Sequence, residues 1–167
     1  MAWVYISLGS NIDREALTLA GVVSLQKKYG ELLLSSVYES EAVGFDGDSF
    51  YNMVIALQTT DDVRDVAQTL RLIEDEHGRD RSGPRFSSRT LDLDLLLYDD
   101  LVIHEDKLQI PRDEILKRAF VLWPMAEVAP DLLHPEVNKT YAQLWDEFDK
   151  QKEKLEPIEF DFSIVQE

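Results

Sequence analysis

The apolar positions fall into short strand-like runs and longer stripes of helical spacing, and their order predicts the fold. Met1 to Leu8 (MAWVYISL) is apolar and rich in β-formers, and Gly9-Ser10-Asn11 reads as the turn that stops it. A helix follows, with Asp13 as N-cap, Glu15 in its first turn and a stripe of Ala16, Leu19, Ala20 and Val23. Lys27 and Lys28 sit in its last turn and Gly30 closes it. Leu32 to Glu39 and Phe50 to Gln58 read as two strands joined by a long segment, Ser40 to Ser49. A second helix is capped by Thr60, carries the stripe Val63, Val66, Ala67, Leu70 and Ile73, and ends at Gly78. After a polar loop, Arg79 to Ser88, comes a strand in Leu91 to Tyr98. The order β-α-β-β-α-β predicts an α+β, ferredoxin-like antiparallel sheet with both helices on one face. Short helices are expected at Asp113 to Arg118, Phe120 to Val128 and Thr140 to Phe148, and an edge strand in Ile158 to Val165.

Length and charge narrow the picture. The chain has 167 residues, which suits one domain spanning 1–167. Lys and Arg total 17 against 33 Asp and Glu, a formal charge of −16 that argues against nucleic-acid or anionic-membrane partners. Without cysteine there is no disulfide, zinc-thiolate site or thiol nucleophile. No apolar run approaches the roughly 18 residues of a membrane span, and no basic-then-apolar leader is visible. These features predict a cytoplasmic protein.

Three local patterns carry candidate chemistry. In Leu91-Asp92-Leu93-Asp94-Leu95 the two aspartates share one strand face while the leucines point to the core. Such carboxylates repel unless a proton or cation intervenes. They are either a solvated face or a divalent-metal site, with Mg²⁺ favoured because every donor is oxygen. Arg79, Arg81, Arg85 and Arg89 precede them in a chain with nine arginines. Guanidinium groups suit phosphate oxygens, so the combination points to phosphoryl-type transfer from a nucleotide. Phe50 with Asn52, and Phe120 further on, are ordinary core aromatics or a pair that stacks on a flat heterocycle. There is no P-loop, kinase signature or serine-hydrolase elbow.

These residues resemble the 6-hydroxymethyl-7,8-dihydropterin pyrophosphokinase family, from about Val4 to Pro130. The resemblance rests on Leu8-Gly9-Ser10-Asn11, Phe50-Tyr51-Asn52, Ile73-Glu74 through Gly78-Arg79, Arg89-Thr90-Leu91-Asp92-Leu93-Asp94-Leu95 and Arg118-Ala119-Phe120-Val121-Leu122-Trp123-Pro124, with Glu127 to Pro130. It implies transfer of the β,γ-pyrophosphate of ATP to the pterin hydroxymethyl oxygen, leaving AMP, in folate biosynthesis. It also implies two Mg²⁺ ions on Asp92 and Asp94, with Arg79 and Arg85 as further catalytic residues. The ATP contacts it implies are Glu74, Arg81, Arg85, Arg89, Leu95, Lys107, Gln109, Arg112 and Arg118. The pterin contacts are Ser40, Glu41, Val43, Phe50, Asn52 and Phe120. By the same resemblance the protein is a monomer acting on small molecules, with 131–167 as a C-terminal extension. The chain departs from the family at Phe86, Ser87-Ser88, Arg112 and Asp113, where Trp, Gly-Pro, His and Tyr are usual.

Two other functional readings compete: a paralogue acting on another heterocyclic alcohol, and a non-catalytic pterin- or nucleotide-binding regulator. The retained aspartate pair disfavours the regulator, because a binder has no need to hold two repelling carboxylates. Arg79 to Ser88 is further expected to act as a lid, with Ser40 to Ser49 as the second wall.

Overall fold

The computed structural model describes residues 1–41, 47–78 and 90–163. The two expected walls fall largely outside these residues, and with them Val43, Arg79, Arg81, Arg85 and Arg89. The first strand, β1 (Ala2–Ser10), is followed by α1 (Arg14–Tyr29), β2 (Leu32–Leu34), β3 (Val37–Ser40), β4 (Phe50–Thr59), α2 (Val63–Glu76) and β5 (Asp92–Tyr98). Then come β6 (Ile103–Glu105), β7 (Leu108–Ile110), α3 (Glu114–Lys117), α4 (Ala119–Val128), α5 (Tyr141–Glu147) and β8 (Leu155–Ile158). The main sheet runs β5-β1-β4-β3-β8, with β2 also on β4, and all its pairings are antiparallel. This is the expected ferredoxin-like core.

Alternation along the strands divides the interior in two. Val4, Ile6, Leu8, Met53, Ile55 and Leu57 meet Val22 and Leu25 of α1 and Val66, Leu70 and Ile73 of α2. From the other face Tyr5, Val54 and Ala56 meet Ile115, Val121, Leu122, Met125 and Tyr141 of the later helices. Leu96 is the extra residue of a β-bulge between Val4–Tyr5 and Ile6 of β1, so Leu96 and Leu97 both join the second core.

Several local expectations are corrected. Gly9 and Ser10 are not a turn but the end of β1, paired with Asn52 and Tyr51. Asp13 occupies the N-cap position of α1 in the left-handed region (φ 51°) without a side-chain cap. The buried face of α1 is Thr18, Gly21, Val22 and Leu25, each two positions beyond the expected Ala16, Leu19, Ala20 and Val23; Ala16 is exposed, and Leu19 and Val23 are half-buried at the edge of the core. Gly21 sets that rotation, because a Cβ there would stand 2.9 Å from Leu8 Cδ1 and 3.1 Å from Leu91 Cδ1. Gly21→Val should therefore cost on the order of 2–3 kcal/mol by overpacking. Thermal unfolding checks this, with a fall of roughly 4–10 °C expected.

Asp62, not Thr60, caps α2, its carboxylate accepting from Arg64 and Asp65 N–H. The expected strand Leu32 to Glu39 is two strands, broken where Ser35 N–H and Oγ bond the backbone of Val54. The tail strand lies earlier than expected, at Leu155–Ile158, because Phe160 and Phe162 turn back to pack on each other and on the first core. Among the described residues, no helix is long and apolar enough to cross a membrane.

Candidate active site

Strand β5 forms an edge of the sheet, and one rim of the site is built along it. Leu91, Leu93 and Leu95 are buried in the first core, which turns Asp92 and Asp94 to the opposite face. The Leu93 N–H points off the edge and donates to Glu74 Oε2 at 2.8 Å, so a buried carboxylate from α2 braces the strand. The β6–β7 hairpin, which the sequence reading does not contain, closes the other side and is tied to α2 by Arg64–Glu105 at 2.6 Å. Between α2, β5 and the hairpin lies a cavity of about 280 Å³, lined by Glu74, Asp92, Asp94, Leu95, Lys107, Gln109 and Arg112 among others. Seven of the expected nucleotide and metal residues thus come together from α2, β5, the hairpin and the segment that follows it.

Arg112 is placed by backbone as well as by charge. Its N–H donates to the carbonyl of the bulged Leu96, and its guanidinium lies 3.4 Å from Asp94 Oδ1 and 3.2 Å from Glu114 Oε1. Arginine in this position therefore stands between the aspartate pair and a further carboxylate. Asp113, the neighbouring departure, pairs with Lys117 at 3.0 Å.

Burial, and next the negative charge of Asp92, push the Asp94 carboxyl up to about 8, while Arg112 pulls in the opposite direction. A second negative charge beside Asp92 is thus disfavoured, and Asp94 tends to hold a proton where no cation is bound. Among the described residues no third Asp, Glu, His or Cys completes a metal-binding group with them. Two carboxylates beside an open cavity fit Mg²⁺, which takes one or two carboxylates and fills its remaining positions with water and phosphate oxygens.

Strand register connects this rim to the expected pterin pocket. Asp92, Gly9, Asn52 and Tyr38 form one row across four strands, with Asp94, Ser7 and Val54 in the next. At the usual strand spacing, Asn52 and Asp92 are about 10 Å apart across the glycine. Asn52 is buried, and its Nδ2 donates to Ser40 Oγ at 2.6 Å. Half-buried Phe50 opens β4 on this face, and half-buried Phe120 packs from the first turn of α4 against the second core. Glu41 is exposed beyond the end of β3.

The turn after β1 fastens both flanks. Ser10 Oγ donates to the Thr90 carbonyl, and Asn11 Nδ2 donates to the Asp48 carbonyl at 3.0 Å. Arg118 stands apart from the cavity, paired with Glu153 of the C-terminal segment at 2.8 Å. A larger cleft, of about 740 Å³ between the start of α1 and residues 159–161, contains none of the expected site residues.

The sequence pattern of the family described as 7,8-dihydro-6-hydroxymethylpterin-pyrophosphokinase (HPPK) matches residues 5–130. The chain belongs to this family. HPPK relatives of similar length include the 2-amino-4-hydroxy-6-hydroxymethyldihydropteridine pyrophosphokinase of Aquifex aeolicus, 34% identical over 83% of this chain and 88% of the relative. The enzyme of the same name from Porphyromonas gingivalis is 39% identical over 81% of this chain and 96% of the relative. Among solved structures, Plasmodium falciparum HPPK-DHPS with SDX-DHP matches with a TM-score of 0.69 at 15% identity, over 90% of this chain and 45% of that one. An HPPK-DHPS in complex with substrates gives 0.72 at 10% identity, over 90% and 44%. These structural likenesses bear on the fold alone, and the chain spans less than half of each solved chain.

Proposed function

We propose that the chain transfers the β,γ-pyrophosphate of ATP to the hydroxymethyl oxygen of 6-hydroxymethyl-7,8-dihydropterin, releasing AMP and the pterin diphosphate, as a step of folate biosynthesis. Membership of the pyrophosphokinase family supports the reaction. The observation that carries the reading to residues is the row Asp92–Gly9–Asn52, which sets the carboxylates lining the cavity and the buried Asn52 on one sheet face.

In this reading the cavity along β5 takes the nucleotide. Lys107, Gln109 and Arg112 contact it, and Glu74 keeps the edge strand in place. Asp92 and Asp94 hold two Mg²⁺ ions, which when bound neutralise the triphosphate and align the attacking and leaving oxygens. Phe50 and Phe120 flank the pterin ring, while Asn52, oriented by Ser40, reads its edge; Glu41 and Val43 complete that pocket. Arg79, Arg81, Arg85 and Arg89 supply positive charge to the transferring phosphates. The pterin oxygen forms a bond to the β-phosphorus as the bond between that phosphorus and the α–β bridging oxygen breaks. The hydroxyl proton leaves to solvent and AMP carries away the bridging oxygen. The family resemblance supports a monomer as the working unit.

The test is purified protein with ATP, Mg²⁺ and the reduced pterin. AMP is the expected product; ADP would mean ordinary kinase chemistry and overturn the assignment. The pocket is tested separately by titration. Phe120→Ala should weaken pterin binding by about 1–3 kcal/mol through lost burial and stacking, with a smaller effect on a non-hydrolysable ATP analogue. Asn52→Ala should likewise penalise pterin by leaving its ring donors unpaired. Equal losses for the two ligands would assign these residues to the wrong subsite.

A further inference from the structure

The family match ends at residue 130, yet the chain beyond it returns to the site. Arg118 occupies the N-cap position of α4 without a side-chain cap, so the first N–H groups of that helix need another acceptor. Glu153 supplies it. One carboxylate oxygen accepts from Ala119 N–H at 2.7 Å, and the other lies 2.8 Å from Arg118 Nη1. Its side chain is only 15% exposed, so the two charge-assisted bonds are shielded from water.

The segment that carries Glu153 is fastened on both sides. Before it, Trp145 stacks between Trp123 and Phe148, at 5.0 and 5.7 Å between ring centroids. Lys150 Nζ lies over Trp145 and donates to the Trp145 carbonyl at 2.6 Å. After it, β8 pairs with β3, placing Leu155 directly beside Ser40, the partner of Asn52.

We infer that Glu153 is a positioning residue of the pterin site, holding the first turn of α4, and with it Phe120 and Arg118, in the conformation that receives substrate. The inference rests on the pocket proposed above. An anion-like plug that phosphate displaces would need freedom to leave, and a residue fastened on both sides lacks it.

The test compares Glu153→Ala, Glu153→Gln and, as reference, Phe120→Ala. Direct titration with pterin in the presence of an ATP analogue should show a roughly tenfold weaker Kd for Glu153→Ala. The KM for pterin should rise more than kcat falls. Glu153→Gln keeps a neutral acceptor for Ala119 N–H and should recover part of the loss; if the alanine variant does not fold, the glutamine variant carries the comparison. Wild-type pterin affinity in a folded Glu153 variant would overturn the inference while leaving the pocket standing. Tighter ATP binding in either variant would also overturn it, in favour of a displaceable plug. Normal pterin binding by Phe120→Ala would instead remove the pocket, and the inference with it.

Discussion

Replacing Asp92 or Asp94 by Ala is expected to abolish most turnover while leaving a folded protein. The two carboxylates point to one face beside the nucleotide cavity, and among the described residues no third Asp, Glu, His or Cys completes a metal-binding group with them. Losing either should cost several kcal/mol of transition-state stabilisation, on the order of 10³-fold in rate. The loss should fall mainly on kcat, because the surrounding cations still bind the triphosphate. The free enzyme should respond in the opposite sense. Asp94 has its carboxyl raised from 3.8 to about 8, so its ionisation opposes folding. Its stabilising effect is complete below the unfolded value and is lost as pH rises from about 4 toward 8. Asp94→Asn should therefore melt higher than wild type near neutral pH in the absence of metal, while being nearly inactive. Rates close to wild type in Mg²⁺ for a folded Asp92→Ala or Asp94→Ala protein would remove the metal assignment. An Asp94→Asn protein that melts lower would remove the electrostatic account.

The parts of this architecture that were legible in the sequence share a physical cause. Leu91 to Leu95 and the α2 stripe have strict periodicities against a large core, and local pattern is enough to fix their faces. The apolar stripe of α1 does not mark its buried face, because the decisive residue is Gly21, whose contribution is an absence of side chain and has no hydrophobic signal. Thr60 and Asp62 are both good caps, and only the backbone geometry selects the second. The β6–β7 hairpin leaves no clear pattern in the sequence, because its strands have three residues each and its turn, Asp106-Lys107, lacks a strong turn signature. That omission matters functionally, since the hairpin forms one side of the cavity.

The candidate site divides in the same way. Asp92, Asp94, Phe50, Asn52 and Phe120 stand in local motifs and were found there. The juxtaposition of Asp92, Asp94, Phe50 and Asn52 is not readable from local pattern, because it depends on register across β5, β1 and β4, and Phe120 comes from a separate helix. Glu153 left no trace at all. It lies about 35 positions from its partners, in a segment with alternating charge that resembles any solvated tail.

Gly9 offers the sharpest test of the register argument. The sequence pattern predicts a turn here, yet Gly9 lies in extended strand between Asn52 on one side and Asp92 on the other. A Cβ at this position would stand 3.3 Å from Asn52 Oδ1 and 3.7 Å from Phe50 Cδ1, two of the residues assigned to the pterin pocket. The strand backbone suits valine well, so Gly9→Val should fold with only a modest change in melting temperature. Its side chain would instead occupy the floor of the pocket and press on an asparagine already fixed by Ser40. Overpacking of about 1–3 kcal/mol, applied to the bound state, corresponds to a rise of roughly 10- to 100-fold in KM for pterin. Titration with the ATP analogue alone should stay near wild type, since the nucleotide cavity lies beyond Asp92 on the outer edge of β5. Steady-state kinetics and the two titrations together decide the matter. A normal pterin KM, or equal losses for both ligands, would mean that the row from Asp92 to Asn52 does not join the two subsites.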